Sequence, residues 1–327
     1  MNSLNIFATK IFNMEKAIEK VIEYPQIVEV GCGLDVHKDI IVGTIRRGNQ
    51  RFETREFGAD TSSLTSLRDW CKQAGVTHIA MESTGIYWKP VFNILEEDFK
   101  IMLVNARHVK NVPGHKTDKK DSAWLSKLLL SGLLKASFIP PQDIRELRDL
   151  VRYKKKLIGQ IASEKNRIIK VLEDCNIKLS SVLSDVSGSV GTKIIDALIS
   201  GERDVDLLMS FYHGKIKVSR EDFRKALTGR ITPHHIRMLQ FHKKHIEDTE
   251  SLIETIDEEI DKAAAAYSVE IDLLQTIDGI GKDGAITIIS EIGVDMSNFP
   301  NEHHLASWAG VSPGNNESGG KKKMPKP

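Results

Sequence analysis

The chain has 327 residues, 28% of them charged and 40% hydrophobic, with a formal net charge of +1. That length suits two domains with real cores, and the near-neutral balance carries no overall nucleic-acid signature. Three scattered cysteines without a C-x-x-C pairing and the absence of any apolar run of membrane length exclude a disulfide scaffold, a structural zinc and a membrane span, and point to a reducing cytoplasm.

Residues 1–27 mix Lys10, Glu15, Lys16, Glu19 and Lys20 into an apolar pattern. This resembles neither a signal peptide nor an anchor and reads as an N-terminal extension. From Val28 a short apolar run with glycines ends in Asp35, a second runs from Ile40 to Ile45, and a third extended segment follows from Arg51 to Phe57 after the turn residues Gly48-Asn49. Together they predict a three-strand meander. Helical spacing of Leu64, Leu67 and Trp70 predicts a helix over Thr61 to Lys72, and Val76 to Met81 reads as a strand closed by Glu82. A helix from Tyr87 to Glu97, a strand from Ile101 to Val104 and a helix from about Thr117 to Leu130 complete the series.

The order β-β-β-α-β-α-β-α predicts an α/β ribonuclease-H-like, that is RuvC-like, domain over residues 28–142. In that arrangement the first strand is central and the fourth lies beside it, so Asp35 and Glu82 meet at one end of the sheet. Asp118 and Asp121, three apart on the last helix, share a face that can point back at them. Any one of these acids alone is more often a solvated turn or cap residue. Four in the settings the fold requires read as a Mg²⁺ site for phosphodiester chemistry, because hard oxygen ligands suit Mg²⁺ and two such ions can hold attacking and leaving oxygens in line.

Between Arg145 and Lys170 nine basic residues stand against three acidic ones, on an apolar stripe of three- and four-residue steps. This predicts a long amphipathic helix over Asp143 to Asp174 whose outer face, with Lys154, Lys155 and Lys156, tracks a nucleic-acid backbone. A solvated helix face is the plain alternative. A connection over Asn176 to Gly191, a helix over Thr192 to Leu208 interrupted at Gly201, a short mixed stretch from Phe211 to Arg230 and a second long helix from Pro233 to Ala266 complete a helical, coiled-coil-like region over residues 143–268. The two long helices are expected to pair as an antiparallel hairpin or to form a dimer contact. Residues 269–327 read as a small helical domain. Its Gly279-Ile280-Gly281 turn between two helices has the pattern of a helix-hairpin-helix, whose backbone N–H groups can meet a phosphate. His303 to Gly310 is a further helix, and Ser318-Gly319-Gly320-Lys321 lies in a polar tail.

The strings Gly33-Leu34-Asp35-Val36-His37-Lys38, Glu82-Ser83-Thr84-Gly85-Ile86-Tyr87, Asn105-Ala106-Arg107-His108-Val109-Lys110, Lys116-Thr117-Asp118-Lys119-Lys120-Asp121, Trp308-Ala309-Gly310 and Ser318-Gly319-Gly320-Lys321 resemble those of the DEDD transposases of bacterial insertion sequences, the insertion sequence 110 family. The resemblance runs from about Val28 to Lys323. It implies a RuvC-like domain, a helical middle and a C-terminal transposase domain, with Asp35, Glu82, Asp118 and Asp121 as the metal-binding tetrad. It also implies that Ser318 is the nucleophile that holds DNA as a phosphoserine beside the phosphate-attracting Lys321, that a structured guide RNA from the element selects the DNA sites, and that the enzyme acts as a dimer or tetramer. Two departures stand out: the chain stops soon after the serine motif, so the last domain reads as truncated, and Ser122 stands where the family tends to have Ala. The alternatives are a Holliday-junction-resolvase-like nuclease that uses water in place of Ser318, and a non-catalytic nucleic-acid-binding remnant. A sugar-kinase-like or actin-like ATPase is disfavoured, since Val36-His37-Lys38 is no phosphate turn and the fold is not repeated.

Overall fold

The computed structural model describes residues 28–48, 51–83, 85–105 and 121–312, and the backbone of Glu317–Ser318 and Lys321–Lys322. The N-terminal extension and Asp118 lie outside the described residues. The described residues fall into two compact units: one holds those from Val28 to Ile139 together with those from Ser297 onward, the other is Pro140–Met296.

The first unit is built on a five-stranded sheet. Strands β1 (Val30–Val36), β2 (Ile40–Arg47) and β3 (Arg51–Gly58) are followed by α1 (Thr61–Gln73), β4 (His78–Glu82), α2 (Trp88–Leu95), β5 (Lys100–Val104) and α3 (Asp121–Leu130). The spatial order is β3-β2-β1-β4-β5, so β1 is central with β4 beside it, as the element order predicts. β1, β2 and β3 pair antiparallel, as hairpin connections allow, whereas β1, β4 and β5 pair parallel across the helical crossovers α1 and α2. Alternation along the strands sorts residues between two layers. Cys32, Leu34, Ile79 and Met81 bury against Leu64, Leu67, Trp70 and Cys71 of α1 and Val91 and Leu95 of α2. Ala80 and Val104 face the opposite way, into a cluster with Leu125, Leu128 and Leu129 of α3 and Leu134. α1 starts where Asp60 accepts hydrogen bonds from the backbone N–H groups of Ser62 and Ser63, each at 3.0 Å. The hydroxyls of Ser62 and Ser63, which also donate to it, hold its carboxyl well below the usual range.

The second unit is helical: α4 (Gln142–Asp174), α5 (Ser189–Ile199), α6 (Arg220–Leu227), α7 (Pro233–Ala264), α8 (Ser268–Gln275) and α9 (Lys282–Ile292), with short helical turns at Leu179–Val182 and Val205–Leu208. The two long helices, α4 and α7, pair antiparallel within this chain. Three polar rungs about ten residues apart set their register. Lys154 Nζ lies 2.5 Å from Asp257, Glu164 meets His242 Nδ1 at 2.7 Å and His245 Nδ1 at 3.3 Å, and Asp174 meets His235 Nε2 at 2.9 Å. A second core gathers Ile168 and Leu172 of α4, Ile194, Ile195 and Leu198 of α5, Phe223 of α6 and Leu239 of α7.

Two local expectations shift. The helix expected over Thr192 to Leu208 starts earlier, at Ser189, and breaks where expected: the chain leaves α5 through Gly201, in the left-handed region at φ 104°, and restarts where Asp204 caps Val205–Leu208. The stretch expected to be mixed contains α6, because Ser219 accepts from the Asp222 N–H at 3.0 Å and so supplies its N-cap.

Glu164 is 4% exposed. Burial pushes its carboxyl up, but the hydrogen bond from His242 and the charges of Arg167, His242 and His245 outweigh burial, and the net direction is down from the ordinary 4.5. A lowered carboxyl contributes stability that is complete above that ordinary value and is lost as pH falls through the folded one. Glu164→Gln is therefore expected to cost about 1–3 kcal/mol at neutral pH. In urea denaturation series the gap from the wild type should close below about pH 4; a gap that is independent of pH contradicts the charged rung.

Candidate functional site

Asp35 lies near the end of β1 and Glu82 closes β4. The last register pair between these parallel strands is Leu34 with Met81, so the two acids are the next residues along neighbouring strands. They also share a face. Gly31, Gly33 and Asp35 alternate with buried Cys32 and Leu34, and Glu82 falls two residues beyond Ala80 of the α3-facing cluster.

The glycines on that face decide how near α3 can come. A Cβ at Gly33 would sit 2.2 Å from Ser122 O and 2.4 Å from Ser126 N, and one at Gly31 would sit 2.8 Å from Leu129 Cδ2. The start of α3 thus lies over Gly33, two residues from Asp35, with only hydrogen atoms between the strand and helix backbones there, and the Leu129 and Leu130 side chains from its end pack on Gly31. A buried hydrogen bond of 2.8 Å between Thr44 Oγ1 on β2 and Ser122 Oγ ties the first turn of α3 to the sheet, and Thr44 Oγ1 is also 2.9 Å from Thr54 Oγ1 on β3. Asp121, the first residue of α3, precedes this tie. The first turn of α3, which opens with Asp121, therefore lies toward the corner where Asp35 and Glu82 end neighbouring strands.

His37 adds a fourth polar group there. Its Nε2 lies 3.1 Å from Asp35 Oδ2, while its backbone N–H donates to Ile40 O at 3.0 Å and closes the β1–β2 turn. The Asp35 side chain is 24% exposed and that of His37 64%. Among the described residues no three His, Cys, Asp or Glu side chains are gathered tightly enough to hold a metal ion. The supporting roles of Gly31, Gly33, Thr44 and Ser122 were not read from sequence, where Ser122 stands out only as a departure from a family pattern; glycines at alternate positions inside an apolar strand are the signal for close approach of another backbone.

The remaining expected site residues are dispersed. Ser318 is the register partner of Lys321 in a short antiparallel pair, β6 (Glu317–Ser318) with β7 (Lys321–Lys322); both side chains lie outside the described residues. In the helical unit the basic run of α4 does not form one open face. Lys154 is a rung to α7 and also lies 3.7 Å from Asp283 of α9. Arg148 donates to the backbone oxygens of Ser290 (2.8 Å) and Glu291 (2.7 Å), which neutralises the carbonyl end of α9, and Arg152 makes a two-pronged pair with the Glu291 carboxylate at 2.8 and 2.7 Å. Lys155 and Lys156 remain exposed. Gly279, at φ 89°, and Gly281, the N-cap of α9, are exposed in the turn between α8 and α9, with no heavy atom within 4 Å of the Cβ each lacks.

Comparison with known families resolves the class. A model of IS110-type DEDD transposases, described as Transposase, matches residues 32–177, and one described as Transposase IS116/IS110/IS902 family matches residues 271–326. The chain belongs to the IS110 family of transposases. Its general role is DNA processing, with DNA as partner. No curated protein matches the chain. No described helix is long and apolar enough to cross a membrane.

Substitutions at the strand–helix contact test this construction of the corner. Gly33→Ala puts a methyl group against backbone atoms that cannot swing away, so it should cost about 1–3 kcal/mol or more in chemical denaturation. Ser122→Ala leaves Thr44 a partner in Thr54 and should cost only about 1 kcal/mol. Equal effects at the two positions would mean that the close approach is not what holds α3.

Proposed function

We propose that the chain is a site-specific DNA recombinase that mobilises an insertion sequence, with Asp35, Glu82, Asp118 and Asp121 as a divalent-metal tetrad in a RuvC-like domain and Ser318 as nucleophile. What supports this reading is the corner itself: Asp35 and Glu82 end neighbouring strands side by side, and α3 begins over the same central strand with Asp121, inside a segment that matches DEDD transposases.

An all-carboxylate donor set fits a hard cation such as Mg²⁺, which takes oxygen ligands and retains waters. When bound, such ions would offset the charge of a phosphodiester and polarise its oxygens. The chain's own residues supply the rest. His37, hydrogen-bonded to Asp35, restricts that carboxylate's rotamers. The Ser318 hydroxyl oxygen forms a bond to phosphorus while the bond from phosphorus to a deoxyribose oxygen breaks; the serine proton is lost and the leaving oxygen gains one, so the strand is held as a phosphoserine without an external energy source. Reversal with a different deoxyribose hydroxyl rejoins the strand elsewhere. Lys321, the register partner of Ser318, places a cation in the same short strand pair. The turn between α8 and α9, with Lys155 and Lys156 of α4, offers sequence-independent contacts to the DNA backbone. A homo-oligomer and a structured guide RNA belong to the same reading.

The test is the fate of labelled element-end DNA incubated with the full chain and Mg²⁺. A DNA adduct that survives denaturant is expected with the wild type and is expected to vanish in Ser318→Ala, and Asp35→Ala or Glu82→Ala should lower its formation by at least about a hundredfold. Adduct formation indifferent to these changes overturns the mechanism, and metal-dependent cleavage that persists in Ser318→Ala replaces it with hydrolysis by water.

A further inference from the structure

Within the Pro140–Met296 unit a cavity of about 390 Å³ lies between the start of α5 and the loop that precedes α6. Its apolar floor is Val182 and Leu183, and its two walls are Gly188 to Val190 on one side and His213 to Lys217 on the other. Lys215 and Lys217 are both exposed, and neither has an ion-pair partner among the described residues. The one acid in the lining is Asp185, whose carboxylate accepts the Ser187 N–H at 2.8 Å and lies 3.4 Å from the position a Cβ would take at Gly188. The wall opposite the lysines is also a donor surface. Gly188, the N-cap of α5, has no side chain with which to accept the N–H groups of the first turn, and Ser189 adds a hydroxyl. That wall is held rigidly: a Cβ at Gly191 would fall 1.9 Å from Val186 O, so the first turn of α5 is packed directly on the preceding backbone.

A cavity whose lining sets two cationic side chains without ion-pair partners, together with backbone and hydroxyl donors, against a single carboxylate is complementary to an anion with several oxygens. We propose that it binds the phosphodiester backbone of a nucleic acid, DNA or RNA, as a positioning contact that does not read sequence. Neither family match covers the cavity, since they end at residue 177 and resume at 271. The proposal rests on the chain's having a nucleic-acid partner, and it is independent of the acid tetrad and of Ser318.

Fluorescence anisotropy of the full chain with labelled duplex DNA, and separately with RNA of the same sequence, tests it. Lys215→Ala/Lys217→Ala is expected to weaken binding about tenfold at physiological salt and to lower the slope of log K against log salt by about 2, one for each phosphate no longer neutralised. Lys215→Arg/Lys217→Arg should retain both. Ser189→Asp should weaken binding while leaving thermal stability unchanged or higher, because an acid in the first helical turn favours the helix and repels phosphate. That split separates a ligand contact from a structural one. A loss confined to the DNA or to the RNA probe assigns the source. Unchanged affinity and slope for both probes overturns the proposal, and does so without touching the proposed recombinase chemistry, which the adduct assay reads on its own.

Discussion

The closeness of α3 to β1 is the constraint on which the rest of the acidic corner depends. A helix packed on a sheet through ordinary side chains rides about 10 Å above it, and the residues at its start then hang away from the strand ends. Here Gly31 and Gly33 remove the intervening atoms, and Ala80 on the neighbouring strand keeps the adjoining surface low. The cost of two glycines inside a strand is conformational entropy and weaker side-chain packing. It is offset by burial of Leu125, Leu128 and Leu129 and by the hydrogen bond from Thr44 to Ser122, which fixes the helix along its own axis. Ser122 is thus a buried polar residue with its partner built in.

The helical unit uses charge differently. Its long helix α4 reads as a basic surface, yet Arg148, Arg152 and Lys154 are committed to Glu291, to the carbonyl end of α9 and to Asp257, and Arg167 is paired with Glu164. The rungs between α4 and α7 specify an antiparallel register that their apolar stripes, lacking strict heptads, would leave less sharply defined. Among the described residues of α4, Lys155, Lys156, Lys165 and Lys170 keep no ion pair, and neither do Lys215 and Lys217 on the loop facing α5.

Periodicity and punctuation were enough to read the elements of the sheet unit in order. Strands that alternate apolar and small residues, helical spacing in α1 and acids that close β1 and β4 are local signals, carried by residues within a turn or two of the feature they determine. The break at Gly201 was legible too, from a glycine inside a helical pattern, whereas the start of α6 at Ser219 was not, because one serine competes there with a stretch of mixed periodicity.

By itself, then, the sequence determined the element order, the placement of Asp35 and Glu82 at strand ends and the pairing potential of two long amphipathic helices, since each follows from local spacing and backbone preference. Its motifs also determined the family. Tertiary structure alone decided which basic residues of α4 are taken up in interhelical pairs, that Ser122 bonds to Thr44 across 78 positions of chain, and that a cavity with a cationic wall opens beside α5. The physical reason is that these features depend on which distant surfaces meet, and charge partners, close backbone contacts and cavities are properties of that meeting rather than of any segment.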